Sequence, residues 1–179
     1  MKSARFNAAK RYELRHEAST LALAIASIVG ITAPVYPLVF TELTAHTNQV
    51  INFTSFMIGA LSSMLGLFDL SKNYPEKARQ FHDCGKAINR AVRRLEVSNN
   101  STILTLIEDY ERAIDSCSEN HDDIDYEIGR AQWEIRRLEG DDRRKRERTL
   151  FWLKTRARAS ACWLYAVVWI SPLLLAVWL

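Results

Sequence analysis

One apolar segment constrains the fold of this chain more than any other. The segment Val50–Leu70, VINFTSFMIGALSSMLGLFDL, has no charged side chain before Asp69. A helix of roughly 20 residues, rising about 1.5 Å per residue, crosses the ~30 Å hydrocarbon core of a bilayer. The segment therefore predicts a transmembrane helix, and its neighbours must be arranged around a membrane crossing.

Small and polar residues recur along one face of this predicted helix, at intervals of three and four. They are Asn52, Ser55, Gly59, Ser62 and Gly66. One interpretation is a packing face, because small residues let two membrane helices approach and hydroxyl or amide groups bond across the contact. The other is a pore wall formed by several copies, in which the polar groups face water. The two interpretations are compatible within one assembly.

The distribution of basic residues predicts the topology. Five of the 24 basic residues lie before residue 18, the other 19 lie between Lys72 and Arg158, and residues 18–71 contain none. A first span is predicted over Ala18–Phe40, with Pro34 and Pro37 kinking or ending it near the far side. Because basic flanks stay in the cytoplasm, we expect a cytoplasmic N-terminal helix at 1–17 and a transmembrane hairpin at 18–71.

Residues 72–142 predict a cytoplasmic bundle of three amphipathic helices, which makes the chain an all-α membrane protein. Apolar residues alternate by four and three along the first and third of these helices. We expect these seams to hold either the bundle or contacts between copies together. The seam residues are Tyr74, Phe81, Ile88, Val92, Leu95, Ile124, Ile128, Ile135 and Leu138.

The C-terminal part combines a basic juxtamembrane segment, 143–159, with an uncharged segment, Ser160–Leu179. The length of the second predicts a third transmembrane helix; a helix lying flat or packed within an assembly is the alternative. A basic run beside a membrane segment is attracted to anionic lipid, so lipid is preferred here over nucleic acid. The predicted lipid contacts are Arg143, Arg144, Lys145, Arg146 and Arg148.

No catalytic motif is present: nothing resembles a glycine-rich phosphate loop, a nucleophile elbow or a zinc signature. We expect no enzyme, no cofactor and no metal. The cluster Glu119–Asp125, with His121, is interpreted as an interhelical turn in which Asp122 or Asp123 caps the next helix, rather than as a metal or general-base site. Three cysteines without a metal-ligand spacing predict reduced thiols and no disulfide framework.

Two segments of the central region, NYPEKARQFHDCGKAINR and YERAIDSCSENHDDIDYEIGRAQWEI, follow the basic helix and the hairpin. In this order they resemble the SLATT family of bacterial effector proteins, over residues 5–140. The minimal plan of that family has two membrane segments, so 160–179 would be an additional one.

This resemblance implies an inner-membrane effector of anti-phage defence that forms homo-oligomers and permeabilises the membrane, so that the infected cell dies or stops growing. It also implies an upstream sensor, such as a reverse transcriptase or a nucleotide second-messenger system. The alternative is a membrane scaffold or sensor that forms no pore and recruits a cytosolic partner.

Overall fold

The computed structural model describes residues 2–39, 44–97, 103–115, 117 and 122–178. Within these ranges the side chains of residues 37, 95, 97, 103, 164, 167–169 and 171–178 are not described. The described residues contain six helices and no strand, which confirms the all-α prediction. The helices are α1 (Lys2–Val39), α2 (Ala45–Lys72), α3 (Tyr74–Val97), α4 (Ile103–Asp115), α5 (Asp123–Ile135) and α6 (Gly140–Trp178).

The chain divides into two units, and α1 and α6 each contribute to both. The helical unit comprises Met1–Leu14 and Tyr74–Ser160, and the membrane unit comprises Arg15–Asn73 and Ala161–Leu179. The basic N-terminal segment therefore packs with the helices that follow residue 73. The predicted acidic turn and the break at 98–101 lie largely outside the described residues; of that turn, Asp122 is the N-cap residue of α5.

The N-terminal part of α1 packs on α3 in the helical unit. Phe81 is buried against Ala8 and Ala9, and its ring stacks on that of Tyr12 with centroids 5.5 Å apart. A second apolar cluster joins α5 to α6 through Ile128, Ala131, Leu153 and Ala157. The two alanines allow a close helix contact, and burial of Ile128 and Leu153 stabilises the unit.

The predicted seam residues pack largely within one chain. Tyr74, Phe81, Ile88 and Ile128 are buried, whereas Val92, Ile124, Ile135 and Leu138 are half-buried. The side chain of Leu95 lies outside the described residues. The buried members therefore pack within the chain, and the prediction that the seam also joins copies stays a prediction.

A buried ion pair also ties α1 to α5. The Arg11 guanidinium donates to both carboxylate oxygens of Asp125, at 3.3 and 2.9 Å, and lies 2.5 Å from Asp122. Burial lowers the pKa of Arg11, but the hydrogen bond and the charges of Asp125 and Asp122 outweigh it and raise the pKa above its usual value. Asp122 thus pairs with Arg11 and makes no side-chain capping bond to α5.

The expectation of reduced thiols is wrong for two of the three cysteines. Cys84 of α3 and Cys117, which follows α4, form a disulfide with their Cα atoms 5.7 Å apart, and Cys162 is free. Both residues lie on the apolar sides of their predicted helices, and packing these sides together brings the sulfurs into bonding distance. Neither cysteine count nor spacing signals that contact.

The membrane unit is built on the alanine face of α1. Ala18, Ala22 and Ala26 pack with Ile58 of α2 and Tyr165 of α6. The predicted span Val50–Leu70 lies within α2, and α1 continues past Pro34 to Val39. Among the described residues, two helices are long and apolar enough to cross a membrane, and only 22% and 17% of their most apolar windows are buried. Such low burial fits helices surrounded by lipid better than the core helices of a water-soluble protein.

Candidate functional site in the membrane unit

The inward face of α2 contains three of the five predicted stripe residues. Ser55 is buried and donates its hydroxyl to the Ile51 carbonyl at 2.8 Å. Ser62 is half-buried and donates to the Ile58 carbonyl at 2.6 Å. Gly66 is also half-buried, and a Cβ added there would lie 3.6 Å from a Leu23 methyl of α1. Gly66 thus packs against the first span, and Ser55 and Ser62 lie on the covered side of the same helix.

Asn52 and Gly59, the other two members, are exposed. Apart from its chain neighbours and the backbone of α2 itself, no described atom lies within 4 Å of a Cβ added at Gly59. At about 100° per residue, the buried face of α2 is centred roughly 50° away from the middle of the predicted stripe. The stripe therefore straddles the edge of the packing face, and the structure does not bring its five residues to one surface.

Asn52 and Gly59 form an outer strip on α2 together with Ser63. The Ser63 hydroxyl donates to the Gly59 carbonyl at 2.9 Å, so this polar group is satisfied by its own helix. The strip is flanked by exposed apolar side chains, among them Phe53 and Phe56. An amide, a bare glycine and a hydroxyl thus lie on the apolar exterior of a candidate membrane span.

Asp69 lies where α1, α2 and α6 meet in the membrane unit. Its carboxyl oxygens accept hydrogen bonds from the Ser19 hydroxyl and from the Tyr165 hydroxyl, at 2.7 Å to each oxygen. Tyr165 and Ser19 are buried. This three-helix junction, defined by Ser19, Asp69 and Tyr165, joins the hairpin to the C-terminal segment through polar contacts.

The sequence pattern identifies Asp69 only as the end of the uncharged stretch. A signal for its role was nevertheless available, because an ionisable residue in or beside a membrane span is expensive and pairs with a defined partner. The partner was not predictable, since Tyr165 lies 96 positions away along the chain.

The predicted lipid contacts form a run in which four of five residues lie beside acids. Arg143 bonds Glu147 at 3.0 Å, and Arg146 lies 2.6 Å from Glu134. Arg144 and Lys145 lie 3.9 and 3.8 Å from acids one turn earlier, Asp141 and Asp142. The local positive charge of this run is therefore partly neutralised within the helical unit.

No cluster of residues that could hold a metal ion occurs among the described side chains. In the described part of the predicted acidic turn, Asp122 and Asp125 are both paired with Arg11, and Glu119, Asn120 and His121 lie outside the described residues.

An apolar hairpin, a polar three-helix junction and a helical unit define a helical membrane protein with two candidate spans. The chain belongs to the SMODS and SLOG-associating 2TM effector domain family 5, whose family model matches residues 1–178. The resemblance to the SLATT family is thereby confirmed, and it extends beyond residues 5–140 to the C-terminal segment. No curated protein and no solved structure matches the chain.

Membership in a family of two-transmembrane effector domains makes this chain a membrane effector in defence. The matched region includes the three residues of the junction and the whole of α2.

Proposed function

We propose that the chain is a homo-oligomeric effector of the bacterial inner membrane that permeabilises the membrane when an upstream signal shifts its packing. The helical unit and the N-terminus face the cytoplasm, in keeping with the position of the basic residues. The outcome for the cell is death or growth arrest. The upstream signal is a defence sensor, such as a reverse transcriptase or a nucleotide second-messenger system, which favours one packing state over the other.

The observation that carries this proposal is the outer strip of α2. Asn52 is exposed among apolar side chains, and an amide that faces hydrocarbon without a partner costs several kcal/mol. A second copy of the same helix supplies a partner, because amides bond across helix contacts in membranes. Gly59 leaves open space about two turns further along, so the neighbouring helix can approach closely at that point.

The inward face of α2 supports an opening transition. The hydroxyls of Ser55 and Ser62 bond carbonyls of their own helix, so they tolerate apolar packing against α1. The same hydroxyls retain acceptor capacity for water, so this face also tolerates an aqueous lining. Separation of α2 from α1 within the assembly then opens a polar path through the membrane.

The test compares Asn52→Leu and Gly59→Leu with Met64→Leu, a substitution at an exposed apolar position of the same helix. Oligomer mass in a mild detergent and dye release from liposomes are measured on purified protein. Growth is followed during overproduction, which favours assembly by mass action. Asn52→Leu and Gly59→Leu are expected to lower both assembly and leakage, whereas Met64→Leu keeps both.

Two results would count against the proposal. If the Asn52 and Gly59 variants assemble and leak like the wild type, the outer strip is not the contact between copies. If the wild-type protein assembles but permeabilises neither liposomes nor cells, the non-pore scaffold that recruits a cytosolic partner is the better description.

A further inference from the structure

The part of α6 that follows the partly neutralised basic run has an unusual outward surface. Phe151 and Trp152 are 74% and 57% exposed, which is high for two adjacent large aromatic residues. The opposite side of this stretch is fixed, because Leu153 and Ala157 pack on Ile128 of α5. Phe151 and Trp152 must therefore point away from the helical unit.

This outward surface is also cationic. Arg156 and Arg158 are exposed beside the two aromatic side chains, and the Arg156 guanidinium lies 5.4 Å from the centre of the Trp152 ring. Glu147 is the last acidic residue of the sequence, so residues 148–179 contain no Asp or Glu side chain. The charge here differs from that of Arg143 and Arg146, which lie beside acids.

Aromatic rings with an apolar body and a polar edge, mixed with arginines, are typical of the boundary between water and lipid. The uncharged segment that begins at Ala159 follows this surface directly along the same helix. A second protein would also cover exposed aromatics, but an uncompensated set of arginines beside a candidate membrane segment complements phospholipid headgroups of negative charge.

We propose that Phe151, Trp152, Arg156 and Arg158 form the headgroup surface of this protein, the site that binds acidic phospholipid, and that the run Arg143–Arg148 does not. The aromatic side chains enter the region between headgroups and acyl chains, while the guanidinium groups bond lipid phosphates. The proposal requires only that the chain is inserted in a membrane, and it is independent of pore formation.

The test uses the full chain in vesicles of phosphatidylcholine and phosphatidylglycerol, with bromine on the acyl chains of one lipid at a time. Bromine quenches nearby tryptophan fluorescence, and the difference in emission between wild type and Trp152→Phe isolates Trp152. This emission is expected to be quenched more strongly by brominated phosphatidylglycerol than by brominated phosphatidylcholine. Trp133→Phe is the matched control. Trp133 is 48% exposed, but the Arg137 guanidinium covers it, 3.6 Å from the centre of the Trp133 ring. The emission of Trp133 is therefore expected to be unquenched.

Two double variants, each of which removes two positive charges, test which arginines select the acidic lipid. Arg156→Gln/Arg158→Gln is expected to lower the preference for phosphatidylglycerol at Trp152 by roughly an order of magnitude. Arg143→Gln/Arg144→Gln removes the same charge and is expected to leave the preference unchanged.

Three outcomes overturn the proposal. Unquenched Trp152 emission in both lipids means that protein covers the surface, and equal quenching by both lipids means that acidic lipid is not selected. A larger effect of Arg143→Gln/Arg144→Gln returns the lipid contact to the upstream run. Unchanged Trp133 emission in all variants shows that the helical unit has kept its fold, so none of these outcomes can be attributed to unfolding.

Discussion

Removing the carboxylate of Asp125 is expected to destabilise the helical unit severely. Asp125 is 1% exposed and Arg11 is 10% exposed, so Asp125→Ala leaves a buried guanidinium without its main partner. Loss of one member of a buried ion pair costs about 3–5 kcal/mol. Asp125 is itself a main cause of the raised pKa of Arg11, so the variant loses that effect. An arginine side chain nevertheless keeps its charge near neutral pH, so deprotonation does not relieve the cost.

The magnitude translates into a large thermal shift. The helical unit has about 100 residues, for which 1 kcal/mol corresponds to about 4 °C, so we expect Asp125→Ala to lower its melting temperature by roughly 12–20 °C. Circular dichroism of the full chain in a mild detergent measures the transition. Hydrogen exchange then identifies the destabilised helices: the amides of residues 2–14 and 123–135 are expected to lose protection.

A double substitution separates the ion pair from ordinary packing. Arg11→Met with Asp125→Leu removes both charges and leaves apolar side chains of similar size, which is expected to be near neutral or stabilising. Asp122 then loses a partner, but its side chain is 59% exposed and water can solvate it. The reasoning is refuted if Asp125→Ala costs less than about 1 kcal/mol, or if the double variant is as unstable as the single one.

Three further predictions concern other contacts. Gly129→Val is expected to destabilise the helical unit by about 1–3 kcal/mol, measured by thermal melting, because a Cβ at that position already lies 3.2 Å from a backbone atom of α1. Reduction of the disulfide between Cys84 and Cys117, which lie 33 positions apart, is expected to lower the free energy of unfolding by about 3–4 kcal/mol. Maleimide labelling in denaturant, followed by mass spectrometry, is expected to find one labelled cysteine before reduction and three after it. Tyr165→Phe removes the hydroxyl that donates to Asp69, and this is expected to destabilise the membrane unit by about 1.5–3 kcal/mol. Hydrogen exchange at the end of α2 should become faster. An unchanged exchange rate would show that Tyr165 does not stabilise the junction.

The elements of the fold were predictable because their causes are local. A charge-free stretch predicts a span, since a charged side chain in hydrocarbon is costly, and Val50–Leu70 lies within α2 as expected. Alternating apolar spacing likewise identified Phe81 and Ile128, both of which are buried. Periodicity gives the face of a helix that avoids water, whatever element covers it.

The contacts between elements were not predictable, because their causes are distant in sequence. Arg11 and Asp125 are 114 positions apart, and each looks like an ordinary exposed charge on its own helix. Cys84 and Cys117 similarly occupy apolar sides whose rotation and register only the folded chain defines. Sequence patterns identify apolar and polar faces, but the pairing of faces depends on how the whole set of helices packs.

The candidate site was also predictable only in part. The spacing of polar residues does not show how many hydrogen bonds each side chain can satisfy within its own helix. The predicted stripe treated the serines and Asn52 as equivalent polar residues. A serine in a helix satisfies its hydroxyl with the carbonyl four residues earlier, as Ser55 and Ser62 do, so it makes little demand on its surroundings. A side-chain amide has two N–H donors and a carbonyl acceptor, more than its own helix satisfies. Asn52 on the exterior of α2, rather than the serines on its inner face, is therefore the residue that we propose to contact a neighbouring copy.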